Sequence, residues 1–426
     1  MEKIHKLAEE EKILSAHTVG RGGAFVTLVK MAAGNKIGFE VKGFSPKKWL
    51  EPDYGNMILE LPASLNVEKE FKDISELEGL EVKILGKTDS GNKLVLGDEE
   101  GRDRFEASLD HMIEKWSKPL ESTFPTDVEN YEGENCSQVE KIDFPVRSAV
   151  KPAKYLEKDE KPYVVIPVFP GTNCEADSAR AFEKAGAETS VYIIKNRTSE
   201  ELKTSIEELA REIDKAHMIM IPGGFSGGDE PDGSAKFINA VFRNPKISSA
   251  VEGLINERKG LIIGICNGFQ ALIKLGLVPF GKIMPQTEDS PTLTYNRIGR
   301  HVSTMVRTGV ASVKSPWFAD INVGDVFTIP VSHGEGRFIC KSDLFKKLAK
   351  EGQIATQYVD YEGNPSMDIQ FNPNYSFGAV EAITSPDGRI IGKMGHAERI
   401  GDNLYKNIDG DKDMKLFEAA VNYFKK

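Results

Sequence analysis

Cys266 stands in the run Leu-Ile-Ile-Gly-Ile-Cys-Asn-Gly-Phe-Gln at 261–270, inside a Gly264-x-Cys266-x-Gly268 frame. That frame is the nucleophile-elbow pattern with a thiol in place of a hydroxyl. The apolar stretch Leu261 to Ile265 predicts a strand, and Asn267 to Leu275 predicts a helix stopped by Gly276. A sharp strand-to-helix turn needs small residues on both sides of the nucleophile, because the backbone crosses itself there. The turn would leave the sulfur exposed at the C-terminal edge of a sheet. It would also set Cys266 at a helix N-terminus, whose partial positive charge favours a thiolate. A nucleophile needs a base, and the base an orienting group. Gly-Lys-Met-Gly-His-Ala-Glu-Arg at 392–399 offers both. His396 and Glu398 are two apart, so in an extended segment both side chains leave the same face. His333 and Glu335 form a second pair of the same spacing in a glycine-rich loop, and the residues alone leave both pairs open.

These groups need a scaffold that brings distant segments to one edge. From Tyr163 onward, strands alternate with helices. Strands are predicted at Tyr163–Val168, Thr189–Ile194, His217–Pro222 and Leu261–Ile265. Helices are predicted at Cys174–Ala185, Ser199–Ile213, Ser234–Phe242 and Lys246–Glu257. This alternation predicts an α/β fold, with a mostly parallel sheet, helices on both faces and sites at the C-terminal strand edges. Beyond about residue 300 the pattern turns β-rich, with Val302–Val306, Val326–Val331, Ile354–Tyr358 and Ala379–Ile383, and a helix at Met414–Phe424 closes the chain. Residues 116–160 are rich in Pro, Glu, Ser and Lys and read as a linker wrapping the surface. Residues 1–115 form a smaller α/β part, with a helix at 2–11 and strands near Lys36–Val41, Asn56–Leu61 and Leu80–Leu85; the main domain is 161–426.

The elbow, the Gly-His-Ala-Glu-Arg segment and Ile-Pro-Gly-Gly-Phe-Ser-Gly-Gly-Asp at 221–229 together resemble the class I, triad-type glutamine amidotransferases, a fold of flavodoxin-like kind. Val-Phe-Pro-Gly-Thr-Asn-Cys-Glu at 168–175 and Ser-His-Gly-Glu-Gly-Arg at 332–337 look like signatures of one branch, the glutaminase domains of the phosphoribosylformylglycinamidine synthase family. The resemblance implies that Cys266 is the nucleophile, His396 the base and Glu398 the orienting acid. It implies an oxyanion hole from backbone N–H groups at Gly223 or Gly224 and at Asn267. Gln270 and the Ser332-His333-Gly334 segment would hold L-glutamine. The ammonia would pass to a synthetase region of the same enzyme, in cis or in trans, for ATP-dependent amidation of formylglycinamide ribonucleotide in purine synthesis. ATP and Mg2+ belong to that whole enzyme; for this chain no cofactor and no metal are expected.

Leu-Ser-Ala-His-Thr-Val-Gly-Arg-Gly-Gly at 14–23 and Glu-Pro-Asp-Tyr-Gly-Asn-Met-Ile-Leu-Glu at 51–60 resemble the last portion of the synthetase region. Thr18 stands where the resembled loop has Asp, and Gly22-Gly23 reads as a close backbone contact. That resemblance starts in mid-domain, so the chain is expected to be the C-terminal end of a longer single-chain form. Two rival readings stand beside the glutaminase. One is another cysteine hydrolase of the same fold, a group in which histidine commonly follows the cysteine; here Asn267 does. The other is a fragment that is silent without its synthetase partner.

Composition narrows the field further. The 426 residues are 40% hydrophobic and 28% charged, with a formal charge of −10, which argues against nucleic acid or an anionic membrane as partner. No stretch approaches the roughly 20 apolar residues of a membrane span, and the N-terminus lacks a signal-peptide core. Four cysteines without a Cys-x-x-Cys suit a reducing cytoplasm. Gly86-Lys87-Thr88 is not read as a phosphate loop, since Glu81 occupies the position of its first glycine. Gly223–Gly228 could form an anion nest, and the oxyanion role is preferred because it follows a strand.

Overall fold

Strands buried on both faces are usually apolar throughout, and three segments of this chain, Tyr163–Val168, Met218–Ile221 and Leu261–Ile265, meet that pattern. In the computed structural model, which describes residues 1–43, 45–75, 80–98, 104–123, 139–228 and 234–425, these segments join the centre of a nine-stranded sheet. Its strands, numbered along the chain, are β1 (Tyr163–Val168), β2 (Glu188–Ile193), β3 (Met218–Ile221), β4 (Leu261–Ile265), β5 (Val302–Val310), β6 (Val326–His333), β7 (Ile354–Tyr358), β8 (Val380–Thr384) and β9 (Ile390–Lys393). Their spatial order is β6-β5-β7-β8-β9-β4-β3-β1-β2. The half from β9 to β2 is parallel, and the half from β9 to β6 is antiparallel. The parallel half matches the α/β expectation; the antiparallel half is the β-rich pattern beyond residue 300.

The chain steps from β1 outward to β2, then back across β1 to β3. Right-handed crossovers in opposite directions place the intervening helices, α1 (Glu175–Lys184) and α2 (Ser199–Lys215), on opposite faces. The reversal makes a switch point beside the C-terminal ends of β1 and β3, where open α/β sheets bind ligands. The core runs continuously through both halves, from Val165 and Ile219 to Ile329 and Tyr358. At roughly 1.5–3 kcal/mol for each large apolar side chain removed from water, this core is what fixes the strand order.

The chain divides into two compact units, Met1–Pro125 and Thr126–Lys426. The first contains a helix at Glu2–Glu9, a strand pair of Ser15–Thr18 with Met57–Glu60, and a four-stranded sheet. The strand expected at Leu80–Leu85 is displaced to Gly86–Asp89, where it pairs with Gly38–Val41; Gly86-Lys87-Thr88 is therefore strand. Gly23 fits the close-contact reading, since a side-chain carbon there would lie 2.2 Å from the Trp49 carbonyl oxygen. In the second unit, residues 139–160 lie along the sheet. The Ile142 N–H donates to Gln357 Oε1 at 3.1 Å, and Arg147 donates to the Phe318 and Ile321 carbonyls. Elements beyond the sequence reading include β9, a helix at Ser342–Lys350 and a small ribbon pairing Thr292–Tyr295 with Glu335–Ile339. No helix among the described residues is long and apolar enough to cross a membrane.

Candidate active site

Four adjacent strands, β9, β4, β3 and β1, end at one edge of the sheet. Just beyond those ends come His396, Cys266, Gly223 and Cys174. Chain segments up to 222 residues apart in sequence thus supply one cluster through strand order alone.

The elbow forms between β4 and helix α3 (Asn267–Leu275). Cys266 has φ 53° and ψ −106°, a region that costs a non-glycine residue about 1–3 kcal/mol and persists only where the surroundings impose it. Both flanking glycines are sterically required. A side-chain carbon on Gly264 would sit 2.5 Å from the Gly268 carbonyl oxygen, and one on Gly268 would sit 1.9 Å from that of Ile221. The Cys266 N–H donates to the Lys393 carbonyl at 2.8 Å, tying the elbow to β9. The sulfur was expected to be exposed and is instead buried, with Cys266 only 5% accessible. The end of β6 covers it, and its Sγ lies 3.5 Å from the Ser332 carbonyl oxygen.

His396 and Glu398 meet through a turn rather than an extended segment. His396 Nδ1 lies 2.7 Å from Glu398 Oε1, and both residues are buried. The loop that carries His396 is anchored by the His396 N–H, which donates to the Pro330 carbonyl on β6 at 2.9 Å. Gly223 borders the cluster directly: a side-chain carbon there would be 2.8 Å from His396 Cε1 and 3.4 Å from Cys266 Cβ. Gly224 adopts φ 139° and packs against the backbone of Gly171 to Asn173, leaving no room for a side chain. Of the 221–229 motif, Asp229 lies outside the described residues.

Asn267 and Gln270 are committed within the protein. Asn267 Oδ1 accepts from the Ser226 N–H at 3.2 Å, its Nδ2 donates to Gln270 Oε1 at 2.8 Å, and Gln270 Nε2 donates to the Glu335 carbonyl. These bonds lock the elbow helix to the 223–226 turn and to the 332–337 segment. The second His-x-Glu pair does not form. His333 Nδ1 faces Asn296 Oδ1 at 2.9 Å, whereas Glu335 Oε2 accepts from the Ser234 N–H at 3.0 Å. Gly334 contributes its carbonyl to the Asn296 N–H, and Ser332 Oγ lies 3.0 Å from His301 Nε2.

One residue enters the cluster without having been assigned a role: Cys174. It is fully buried, and Arg399 Nη2 donates to its sulfur at 2.8 Å. The donor atoms of Cys174, His396 and Glu398 lie within 4.8 Å of one another, the one such grouping with metal-ligand character among the described residues. Cys174 Sγ is engaged by Arg399 and His396 Nδ1 by Glu398 Oε1, whereas His396 Nε2 and Glu398 Oε2 are buried without a hydrogen-bond partner. Its sequence signal was position alone, in the loop that follows a central strand.

The sequence pattern of the CobB/CobQ-like glutamine amidotransferase domain matches residues 161–424. The phosphoribosylformylglycinamidine synthase subunit PurQ of Methanococcus maripaludis is 34% identical over 286 residues, covering 62% of this chain and 98% of that protein. This chain belongs to the glutamine amidotransferases of the phosphoribosylformylglycinamidine synthase type. PurQ of Prochlorococcus marinus is 32% identical over 243 residues, covering 57% of this chain and 93% of its own. The solved PurLQS of Thermotoga maritima has 26% identity and a TM-score of 0.45, covering 62% of this chain and 100% of that chain.

In this amidotransferase the two buried histidines differ in charge. Burial alone would push His396 down, but the Glu398 carboxylate and the sulfurs of Cys174 and Cys266 outweigh it and hold His396 well above 6.5. Burial opposes the charge on Glu398 too, and the His396 imidazolium holds that carboxyl below 4.5. Burial drives His333 down to about 3, with His396 and His301 adding to the effect, so His333 is neutral at physiological pH.

The stability consequence follows from linkage. A folded-state pKa above 6.5 makes the His396 contribution complete below that pH and lost as pH rises through the folded value. A folded-state pKa below 4.5 makes the Glu398 contribution complete above that pH and lost as pH falls through the folded value. The pair therefore acts fully only between about pH 4.5 and 6.5. In urea unfolding across pH, the stability gap between the wild type and His396→Asn is expected to be widest in that window and to narrow toward alkaline pH. A gap that widened steadily to pH 9 would contradict the charged pair.

Proposed function

We propose that this chain hydrolyses the side-chain amide of L-glutamine at Cys266 and delivers ammonia to a synthetase partner. The observation that carries the reading is the convergence of a strained elbow cysteine and a buried His396–Glu398 pair at the ends of adjacent strands. His396 carries the proton and Cys266 attacks the amide carbon as its thiolate. The oxyanion is stabilised by backbone N–H groups at Gly223 or Gly224 and at Asn267. His396 protonates the departing nitrogen, and ammonia leaves a γ-glutamyl thioester. Water, giving its proton to His396, then cleaves the thioester to glutamate and restores the thiolate. Glu398 fixes the imidazole tautomer and balances its charge.

The synthetase partner is proposed because the similar PurQ proteins bear the name of synthase subunits. There ATP with Mg2+ would activate the amide oxygen of formylglycinamide ribonucleotide, and ammonia would displace it to give the amidine. Gln270 takes a scaffold role in this reading, because its amide is already engaged on both sides. The Ser332 carbonyl borders the sulfur, and Ser332, His333 and Gly334 remain the candidates for holding glutamine.

The test pairs two measurements. A glutamine-mimicking electrophile should label Cys266 alone. Glutamate release by the chain should be weak and should rise on addition of a synthetase subunit. Hydrolysis of peptides in preference to glutamine, or labelling of a different cysteine, would overturn the reading.

A further inference from the structure

Lys393 and Glu381 are completely buried, on neighbouring strands β9 and β8. Lys393 Nζ lies 3.3 Å from Glu381 Oε1, with neither side chain touching solvent. Charged residues are almost never fully buried, and a buried ion pair is often no more stable than apolar residues of the same volume. Stability therefore gives no account of this pair. Its contacts do.

Both partners grip the same residue, Gly395, through its two flanking peptide groups. Lys393 Nζ donates to the Gly395 carbonyl at 2.8 Å, and the Gly395 N–H donates to Glu381 Oε1 at 2.6 Å. Gly395 immediately precedes His396. A side-chain carbon on Gly395 would lie 2.1 Å from Ile329 Cδ1 and 3.1 Å from Glu381 Oε1, so no side chain fits at this position. Thr356 on β7 donates to Glu381 Oε2, which fixes the carboxylate plane. The backbone carbonyl of the same Lys393 accepts the Cys266 N–H at 2.8 Å. Residue 393 is thus where the nucleophile's backbone and the base's loop are joined.

We propose that Lys393 and Glu381 are positioning residues that set the His396 imidazole against the Cys266 sulfur. The inference rests on the glutaminase reading above. The pair touches neither substrate nor reacting atoms; it acts by holding the residue before the base. A misplacement of about 1 Å at a catalytic group costs roughly 10²-fold in rate, which sets the scale of the expected effect.

The main variant is Glu381→Gln with Lys393→Met in the full chain, which removes both charges and keeps an acceptor for the Gly395 N–H. A second is Glu381→Leu with Lys393→Met, which replaces the pair by apolar volume. Two readouts are used. One is the rate of Cys266 alkylation by iodoacetamide from pH 5 to 9, followed by peptide mapping. The other is glutamate release in the presence of the synthetase subunit. The folded variants should alkylate Cys266 about tenfold more slowly near pH 6, with the profile's midpoint moved upward. Their kcat should fall about 10- to 100-fold while the KM for glutamine stays within about threefold. Either variant folding with a wild-type alkylation profile and kcat overturns the proposal. His396→Asn separates the two levels: if it leaves the profile unchanged, the glutaminase reading itself fails. If it flattens the profile while the pair variants do not, only the positioning role fails.

Discussion

Replacing Cys266 with alanine is expected to abolish glutamine hydrolysis altogether, the largest single effect in this molecule. In the proposed mechanism every acyl-transfer step passes through this sulfur. Cys174 is the nearest rival, and its geometry is unsuited to attack. It adopts φ −111° and ψ 11° with no elbow, it is fully buried, and its sulfur is engaged by Arg399 and Asn173. Cys340 lies in neither the elbow nor the base loop, and Cys136 falls outside the described residues. Substituting Cys136, Cys174 or Cys340 by serine should leave most of the activity. The measurement is glutamate release over hours with the synthetase subunit present. Residual activity of Cys266→Ala above about one part in a thousand, set against the 10⁶-fold and larger accelerations typical of enzymes, would exclude the thiolate mechanism.

His396→Asn should lower kcat by about 10²–10⁴, the range for loss of a general acid–base. The effect on KM should be small, because the imidazole stabilises the transition state rather than the bound amide. Glu398→Gln should cost less, since the amide still accepts from Nδ1–H and orients the ring while the charge balance is lost. His333→Asn should act mainly on KM. Burial drives its pKa down to about 3, so His333 is neutral and not available as a cationic acid near neutral pH, and its Nδ1 is occupied by Asn296. If His333→Asn reduced kcat more than His396→Asn, the two pairs would have their roles reversed.

Those assignments show how far the residues alone reach. Leu261–Ile265 and Asn267–Leu275 were legible to the residue, because strand, elbow and helix are all set by local sterics and by the glycines at 264, 268 and 276. β9 was not legible. Ile390-Ile-Gly-Lys is four residues long and ends in a charge, and its strand identity comes from lying between β4 and β8. The buried state of Lys393 was hidden for the same reason, since its partner Glu381 sits on the neighbouring strand. Ser-His-Gly-Glu-Gly-Arg read as a glycine-rich loop, yet Glu335 to Ile339 pairs with Thr292 to Tyr295, a contact invisible to periodicity. The residues alone left two identical His-x-Glu spacings open and the family resemblance pointed to His396; that His333 and Glu335 turn to Asn296 and Ser234 instead of to each other is visible only in three dimensions.

The segment at 139–160 carries a consequence for where this unit begins. Phe144 pairs with Ser312, its ring fills the space over Gly352, and the Leu156 N–H donates to the Phe424 carbonyl near the far end of the chain. One short stretch therefore staples three regions that are remote from one another in sequence. The family pattern starts at 161, but the packed structure includes residues from 142 on. Cutting at the family boundary would strip a belt from the antiparallel half of the sheet, uncover the groove over Gly352, and free the C-terminal helix to fray. A boundary drawn by ancestry and a boundary drawn by packing do not coincide in this protein, and any transplant of the glutaminase must carry the belt with it.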